Sequence, residues 1–347
     1  MATAESYAMV GGDGAQSYAK NSSYQRLVLD VAKEMINEAI ANKLDLGICH
    51  ACKPFQIADF GCSTGPNTFI AVQNIIDAVE QKCLVEHQKP SSLEFQVFFN
   101  DQYKNDFNTL FKTLPPLRKY FAAGVQSTLN LIHSSSALHW LSKVPEEILD
   151  RNSPAWNKGS IYCTGLVKEV TKAYSAQFKT DMESFLNARA QELAAGGLMV
   201  IVLSGLPNGI SKPETAEGKI YDLLGPSLIH MANLGLISEV KVDLFNIPVY
   251  YPTAKEVEAI IKKNGLFSIE RMNIFTPNLT DIKFSVKYYT SLVRAAYEGL
   301  VKKHFGNEFV DKIFSHFTAK IAENFSLIDL KNNVKVNIFF VLNRFSN

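Results

Sequence analysis

The stretch Phe55-Gln-Ile-Ala-Asp-Phe-Gly-Cys-Ser-Thr-Gly-Pro-Asn-Thr68 decides the fold, because a short apolar run ends there in an acid and two glycines. The apolar run predicts a buried strand of a parallel sheet. Gly61 and Gly65 predict a tight turn after it, since a residue without a Cβ lets the backbone approach a ligand closely at the start of the next helix. The pattern indicates either a ligand-binding turn or an ordinary structural turn.

The ligand at this turn is not predicted to be held through phosphates. The dinucleotide fingerprint needs a second glycine where this chain has Ser63, and the Gly-Lys-Ser/Thr phosphate loop is also missing. Asp59 at the strand end would repel a phosphate, whereas its carboxylate suits a ligand with an amino group. S-adenosyl-L-methionine carries such a group, together with a ribose and an adenine.

A second strand-like run, Leu93-Glu-Phe-Gln-Val-Phe-Phe-Asn-Asp101, also ends in an acid. An acid at the tip of the second strand is where a nucleoside ribose is held through its hydroxyls. Asp101 comes 36 residues after Gly65, beyond the spacing of about 20 that is typical of dinucleotide sites. The two acidic strand ends favour a nucleoside cofactor and disfavour a nicotinamide dehydrogenase.

The composition disfavours several classes of partner. Lys and Arg number 35 against 34 Asp and Glu, and no basic run interleaves with aromatic residues, so nucleic acid is not an expected partner. No apolar segment reaches the roughly 18 residues of a membrane span, and the N-terminus lacks a signal-peptide pattern, so no membrane association is expected. Five cysteines do not suggest a disulfide framework. We therefore predict a cytoplasmic protein.

Strands alternate with helices along the first part of the chain, which predicts an α/β fold with a parallel sheet. After the first strand, further strands are predicted at 93–101, 128–132, 161–163, 198–203 and 334–342. Helices are predicted at 24–44, 69–84, 168–194, 215–234 and 254–264, with a helical block over 285–324. Residues 1–205 and part of 236–347 are assigned to the α/β core. Residues 206–235 and about 254–330 are assigned to a helical cap over the substrate pocket.

The chain resembles the plant SABATH methyltransferases, which methylate small carboxylic acids and some ring nitrogens, and within them the salicylate, jasmonate and farnesoate carboxyl methyltransferases. The resemblance covers nearly the whole length. Its motifs are Met9-Val-Gly-Gly-Asp-Gly14, Ser17-Tyr-Ala-Lys-Asn-Ser-Ser-Tyr-Gln25, Ala58-Asp-Phe-Gly-Cys-Ser-Thr-Gly-Pro-Asn67, Asn100-Asp101, Asn105-Asp-Phe-Asn108, His133-Ser-Ser135, Leu138-His-Trp-Leu-Ser142 and Phe245-Asn-Ile-Pro248. It implies a Rossmann-like class I methyltransferase core with a mostly parallel seven-stranded sheet and a helical cap.

The resemblance also implies which residues contact S-adenosyl-L-methionine. These are Tyr18, Asp59, Gly61, Cys62, Asn67, Asp101 and Gln102. Two of them have alternative interpretations when considered alone. Cys62 could be a small apolar filler of the core, and Asn67 could cap the helix that begins near it.

An acceptor site formed by Gln25, His139 and Trp140 is implied in the same way. The Gln amide and the Trp indole N–H are donors that suit a carboxylate. Methyl transfer from a sulfonium to an ionised carboxylate is an in-line displacement that needs positioning but no general base. A ring N–H acceptor would need its proton removed, and His139 is the candidate base. Without the resemblance, Trp140 would be taken for a core aromatic and Gln25 for an exposed residue of the first helical turn.

The resemblance further implies a substrate pocket, a metal ion and a homodimer. The predicted pocket residues are Ile220, Tyr221, Tyr250 and Val293. Mg²⁺ is implied with Asn157, Asp243, the Phe245 carbonyl and Asn246 as ligands, because oxygen ligands suit this hard cation. An ordinary turn is the alternative for residues 243–246.

Two departures from the family pattern bear on the substrate. After Gln126 the family continues through a loop like Pro-Gly-Ser-Phe-Tyr-Gly-Arg-Leu-Phe-Pro, but this chain passes directly to Ser127. Ser136-Ala137 replaces a Tyr-Ser pair, which enlarges the pocket. The predicted function is a carboxyl O-methyltransferase that forms the methyl ester of a small hydrophobic or aromatic acid. The alternatives are an N-methyltransferase of a heteroaromatic acceptor and a ligand-binding protein that has lost activity.

Overall fold

Strands and helices alternate in the computed structural model, which describes residues 7–48, 54–86, 93–114, 120–121, 128–207, 209–280, 282–328 and 335–345. The strands are β1 Phe55–Phe60, β2 Phe95–Asn100, β3 Tyr120–Phe121, β4 Leu129–Ser135, β5 Leu193–Gly205, β6 Phe267–Phe275 and β7 Val336–Arg344. The helices are α1 Ser23–Lys43, α2 Asn67–Val85, α3 Phe107–Lys112, α4 Lys168–Glu192, α5 Ala216–Asn233, α6 Glu239–Leu244, α7 Ala254–Asn264, α8 Val286–Phe305 and α9 Asn307–Glu323. This order confirms the predicted α/β class.

The seven strands form one sheet in the order β3-β2-β1-β4-β5-β7-β6. Strands β1 to β5 are parallel, whereas β7 runs antiparallel to β5 and β6 on its two sides. In the register, Asp59 of β1 lies beside His133 of β4, and Phe60 lies beside Asn100 of β2. Because parallel strands end at one edge, the residues that follow β1, β2 and β4 converge there.

Three large hydrophobic cores, and a small fourth one around Phe69, hold the described elements together. One face of the sheet packs on α1 and α2, with Val72 at its centre. The opposite face packs on α4 and α7 through residues such as Phe178 and Val257. The third core joins α5, α8 and α9 around Phe317. Each helix is amphipathic, as in α1, where buried residues recur every three or four positions.

The structure differs from the sequence predictions at several elements. Strand β3 and the short helices α3 and α6 were not predicted. Residues 161–163 are not a strand, because Ile161 and Tyr162 pack into the core of α5, α8 and α9, and Ile161 O accepts a hydrogen bond from Ile247 N at 2.7 Å. Strand β6 was not predicted. Both α7 and β6 lie within the 254–330 range assigned to the helical cap, yet β6 is a sheet strand and α7 packs on the sheet.

Three further expectations concern loops, membranes and cysteines. The point after Gln126 where this chain lacks the loop of the family lies outside the described residues. None of the described helices is long and apolar enough to cross a membrane. Among the described residues, Cys62, Cys83 and Cys163 have free thiols.

Candidate active site

The turn after β1 ties two strand ends together. Gly61 N and Cys62 N both donate to Asn100 O, at 2.8 and 3.1 Å, which joins the turn to the end of β2. Gly61 has a φ of +87°, and a Cβ there would overlap the Cβ of Ala137 in the segment after β4. The turn therefore requires glycine at this position, for its backbone conformation and for its lack of a side chain.

Asp101, directly after β2, is held by backbone donors. Its Oδ2 accepts from Ser63 N and its Oδ1 from Gln102 N, each at 2.7 Å. Burial raises the pKa of Asp101, against the effect of these two N–H donors. The Gln102 side chain in turn accepts a hydrogen bond from Tyr7 N. These bonds fix an acidic side chain at the position predicted to hold a ribose.

Asp59 forms a buried cluster with His133 and Thr68. His133 Nδ1 lies 2.7 Å from Asp59 Oδ1, and Thr68 Oγ1 donates to Asp59 Oδ2. Asp59 and His133 are 3% and 1% exposed. Because both carboxylate oxygens already have partners, the orientation of Asp59 is set by the neighbouring strand and by the first turn of α2. His133 was not predicted as a site residue, although it opens one of the family motifs.

The remaining cofactor candidates are also anchored at this edge. Burial, with a smaller contribution from Asp101, raises the pKa of the Tyr18 hydroxyl, so it stays neutral. The Cys62 side chain packs with Phe69. Asn67 Nδ2 donates to the carbonyl and the hydroxyl of Ser22, at 3.1 and 3.0 Å. Asn67 is thus not a helix cap and instead ties the starts of α1 and α2 together.

Three adjoining cavities open along this edge of the sheet. An inner cavity lies among β1, β4, α1 and α2, and an outer cavity lies between the end of β2 and α4. A third, which we call the acceptor cavity, extends under α5 and α8. All seven predicted cofactor residues line the inner or the outer cavity. Tyr18 and Ser136 line all three, so the cavities meet at these two residues.

The three predicted acceptor residues, Gln25, His139 and Trp140, line the acceptor cavity. Gln25 also reaches the inner cavity, and Trp140 also reaches the outer one. His139 stacks on Tyr251 with ring centroids 5.5 Å apart. Burial, reinforced by nearby lysines, lowers the pKa of His139 to about 3, so its imidazole is neutral near pH 7.

Of the four predicted pocket residues, Ile220, Tyr221 and Val293 line the acceptor cavity, and Tyr250 does not. The Tyr250 hydroxyl bonds Glu256 at 2.7 Å and its ring packs in the core of α4 and α7. Its neighbour Tyr251 lines the cavity instead. Sequence position alone did not reveal which of two adjacent tyrosines points inward.

The sequence analysis missed a group of charged residues beside this cavity. Lys335 Nζ lies 2.7 Å from Glu217 Oε1, and Lys212 Nζ lies 3.9 Å from Glu217 Oε2. Although burial opposes it, the two lysines lower the pKa of Glu217 to about 2. Burial lowers the pKa of Lys212 to about 7. Neither Glu217 nor Lys335 belongs to a recognisable motif, so only their positions in space identify them.

Three of the four predicted magnesium ligands, Asn157, Asn246 and Asp243, already have partners within the protein. Asn157 Nδ2 donates to Asn246 Oδ1 at 2.7 Å, so that oxygen already has a partner. Arg151 NH2 lies 3.9 Å from Asp243 Oδ2 and offsets its charge. None of the predicted ligands lines the three cavities. Within the described ranges, no three His, Cys, Asp or Glu side chains converge on one point. Magnesium binding stays a prediction, and no step of the reaction is assigned to it.

The cavities carry polar atoms that fit the predicted cofactor and acceptor. In the described part of the chain, six buried polar atoms on residues that line the cavities have no hydrogen-bond partner: Gln25 Oε1, Ser63 Oγ, His133 Nε2, Ser135 Oγ, His139 Nδ1 and Arg189 Nε. Buried polar atoms in folded proteins are nearly always bonded, so orphans gathered in one cleft indicate a bound polar ligand or water. The cleft also has two acids, Asp59 and Asp101, at neighbouring strand ends.

This sheet order, with an antiparallel strand inserted beside β5 and a polar cleft at the strand ends, defines a class I S-adenosyl-L-methionine-dependent methyltransferase. The chain belongs to the SAM-dependent carboxyl methyltransferase family, whose model matches residues 4–345. This assignment confirms the SABATH resemblance and the predicted cofactor. S-adenosyl-L-methionine supplies an electrophilic methyl group on a sulfonium.

Similar proteins agree with this assignment. Loganic acid O-methyltransferase of Catharanthus roseus is 46% identical over 99% of this chain and 95% of its own length. Farnesoic acid carboxyl-O-methyltransferase of Arabidopsis thaliana is 45% identical over 92% of this chain and 93% of its own length. A solved structure of loganic acid methyltransferase with SAH (S-adenosylhomocysteine) superposes with a TM-score of 0.92 over 98% of this chain and 99% of that one.

Proposed function

We propose that this enzyme forms the methyl ester of a small ring-containing carboxylic acid, which binds in the acceptor cavity with its carboxylate between Gln25 and Trp140. One observation carries the proposal: Gln25 lines both the inner cavity and the acceptor cavity, which meet at Tyr18 and Ser136. A group bound by Gln25 therefore lies where cofactor and acceptor come together, as an in-line displacement requires.

The charges around the acceptor cavity favour an anionic acceptor. Two lysines, Lys335 and Lys212, lie near the one carboxylate of Glu217. The group therefore has a net positive charge whenever Lys212 is protonated. With a pKa of about 3, His139 is too weak a base to remove a proton from a ring N–H near pH 7. A carboxylate is already ionised and needs no base. These two features support O-methylation over N-methylation of a heteroaromatic ring.

Shape features agree with a ring acceptor. The Trp140 and Tyr297 rings are 5.4 Å apart and together form an aromatic wall of the cavity. Ser136 stands where the family has Tyr, which leaves room beside that wall. Helices α5 and α8 supply much of the remaining lining, so we propose that they, with α9, form the cap over the acceptor.

The test is a panel of carboxylic acids and purines incubated with labelled S-adenosyl-L-methionine. We expect methyl esters of ring acids, and a methylated purine without any ester would contradict the proposal. Gln25→Ala should raise the acceptor KM by roughly 10-fold, the effect of losing a hydrogen bond to a charged group. Gln25→Glu should raise it further, because it sets one carboxylate against another.

The control measurement is binding of S-adenosylhomocysteine by calorimetry. Gln25→Ala should leave that Kd within about two-fold, since the change removes an acceptor contact and no charge. Equal losses of cofactor and acceptor affinity would contradict the role assigned to Gln25. Binding of an acid without turnover of any acceptor would favour the non-catalytic alternative.

Oligomeric state and location belong to the proposal as well. We infer a homodimer from the family resemblance, and a cytoplasmic location stays part of the proposal. Light scattering after size-exclusion chromatography should give twice the 38.6 kDa monomer mass. A monomer mass at micromolar concentration would contradict the dimer without affecting the proposed chemistry.

A further inference from the structure

The acceptor cavity carries an ion pair that methyl transfer does not use. Glu217, in the first turn of α5, and Lys335, just before β7, both line the cavity, with 14% of each side chain exposed. We call these two residues the ion-pair wall. Unlike Gln25 and Trp140, they line the acceptor cavity alone. They therefore lie beside the part of the acceptor that does not face the cofactor.

The ion-pair wall, which lines the cavity, has more hydrogen-bonding groups than its own ion pair uses. The Lys335 ammonium has three donors, of which Glu217 takes one, and its nitrogen also lies 3.4 Å from the centre of the Tyr24 ring. The Glu217 carboxylate can accept several bonds. Beside it, the Tyr221 hydroxyl bonds the hydroxyls of Tyr297 and Tyr251, at 2.6 and 3.0 Å. This wall of the cavity is polar.

The chemistry of an ion pair selects among possible acceptor groups. A hydrocarbon group would exclude water from both charges without forming hydrogen bonds to them, which is unfavourable. A second carboxylate would be attracted by Lys335 but repelled by Glu217. A hydroxyl can accept a bond from the ammonium and donate one to the carboxylate at the same time. Hydroxyl groups are therefore the best match for both charges.

We propose that the ion-pair wall is a subsite for hydroxyl groups on the acceptor, so that the preferred substrate is a hydroxylated ring acid. The proposal rests on the proposed function, and it changes the predicted hydrophobic or aromatic acid to a polar one. A site built to bond a hydroxyl discriminates strongly against an analogue that lacks it, because its own polar groups are then left unpaired.

The test compares acids that share a ring and a carboxylate and differ only in hydroxyls. Suitable pairs are cyclohex-1-ene-1-carboxylic acid with its trihydroxylated counterpart, shikimic acid, and benzoic acid with its dihydroxylated counterpart. In the wild-type enzyme we expect the hydroxylated member of a pair to have a kcat/KM roughly 10- to 100-fold higher, the range for bonds to charged groups.

A double variant, Glu217→Leu with Lys335→Met, should bring this ratio close to one. Both charges of the wall are removed together so that neither is left buried without its partner. Lys212, which also loses Glu217 at 3.9 Å, is expected to be neutral near pH 7, because burial already lowers its pKa to about 7. The matched control makes the same replacements at the exposed pair of Glu323 and Lys320 on α9, whose charged atoms are also 2.7 Å apart. That control should keep the wild-type ratio, and both variants should bind S-adenosylhomocysteine as the wild type does.

The outcomes separate this inference from the proposed function. Equal kcat/KM values within both pairs for the wild type, or a hydroxyl preference that survives in the double variant, would overturn the subsite and leave carboxyl methylation intact. Failure to esterify any acid in the panel would refute the proposed function together with the subsite. The wild-type ratios decide the matter even if the double variant does not fold.

Discussion

The cofactor turn and the acceptor cavity are built by different means. The turn is a nearly continuous piece of chain, from Asp59 to Thr68, and backbone hydrogen bonds tie it to the end of β2. The acceptor cavity is lined by side chains from α1, the segment after β4, α5, α8 and the residue just before β7. The proposed cofactor site therefore depends on backbone conformation, whereas the proposed acceptor site can change its chemistry through side chains without disturbing the sheet.

The largest effect is expected from Gly61→Ala. The positive φ costs about 1–2 kcal/mol and the overlap with Ala137 costs about 1–3 kcal/mol more, so affinity for S-adenosylhomocysteine should fall roughly 30-fold or more. Calorimetry measures this Kd. The control is Gly265→Ala, at a φ of +71° with nothing within 4 Å of the added carbon. The Gly265→Ala variant should lose stability and keep the wild-type Kd for S-adenosylhomocysteine. If Gly61→Ala also keeps the wild-type Kd, the turn does not contact the cofactor.

The ion pair beside the acceptor cavity should appear in the acid stability of the enzyme. The folded-state pKa of Glu217 is about 2, below its ordinary 4.5, so the carboxylate stabilises the fold above pH 4.5 and this stabilisation is lost as the pH falls towards 2. The full contribution is about 3 kcal/mol. Urea titrations between pH 6 and pH 3 should show wild type losing more stability than Glu217→Leu with Lys335→Met. If the wild type and the double variant lose the same free energy of unfolding between pH 6 and pH 3, the fold does not stabilise the ionised form of Glu217.

His133 tests whether Asp59 must be oriented to hold the cofactor. Removing its bond in His133→Ala should raise the KM for S-adenosyl-L-methionine about 10-fold, as expected for a hydrogen bond to a charged group, and leave the acceptor KM nearly unchanged. His133→Asn keeps a donor near the position of Nδ1 and should recover much of the loss. If His133→Asn raises the KM for S-adenosyl-L-methionine as much as His133→Ala does, His133 acts only through packing. The same conclusion follows if the KM values for cofactor and acceptor rise together.

The smallest expected effect distinguishes a tyrosine hydroxyl at the acceptor cavity from one outside it. Tyr221→Phe removes a hydroxyl that bonds two others at the acceptor cavity and should raise the acceptor KM several-fold, equivalent to about 1 kcal/mol. Tyr250→Phe removes one bond to Glu256 outside the cavity, so it should lower thermal stability and leave the acceptor KM unchanged. A change in acceptor KM for Tyr250→Phe instead would reverse the assignment of these residues.

Local signals explain which elements were predictable. Helix α7 was predicted with its observed bounds, because Thr253 and Glu256 form a capping box at its start and Gly265 ends it in a left-handed conformation. Strand β6 was missed although Gly265 precedes it and Pro277 follows it, because a register shift between Ile269 and Arg271 breaks the alternation of its residues. Residues 161–163 were apolar for a different reason, since Ile161 packs against helices and not into the sheet.

The sequence by itself determined the class of fold and the cofactor turn, because strand, glycine turn and acidic strand ends are encoded by residues close together in the chain. Family motifs added Gln25 and Trp140. Only the tertiary structure decided that Tyr251 and not Tyr250 faces the acceptor, and that Glu217 pairs with Lys335 beside it. These facts depend on where the fold places residues 250–251, the start of α5 and the residue before β7, and contacts between residues so distant in sequence leave no local pattern to recognise.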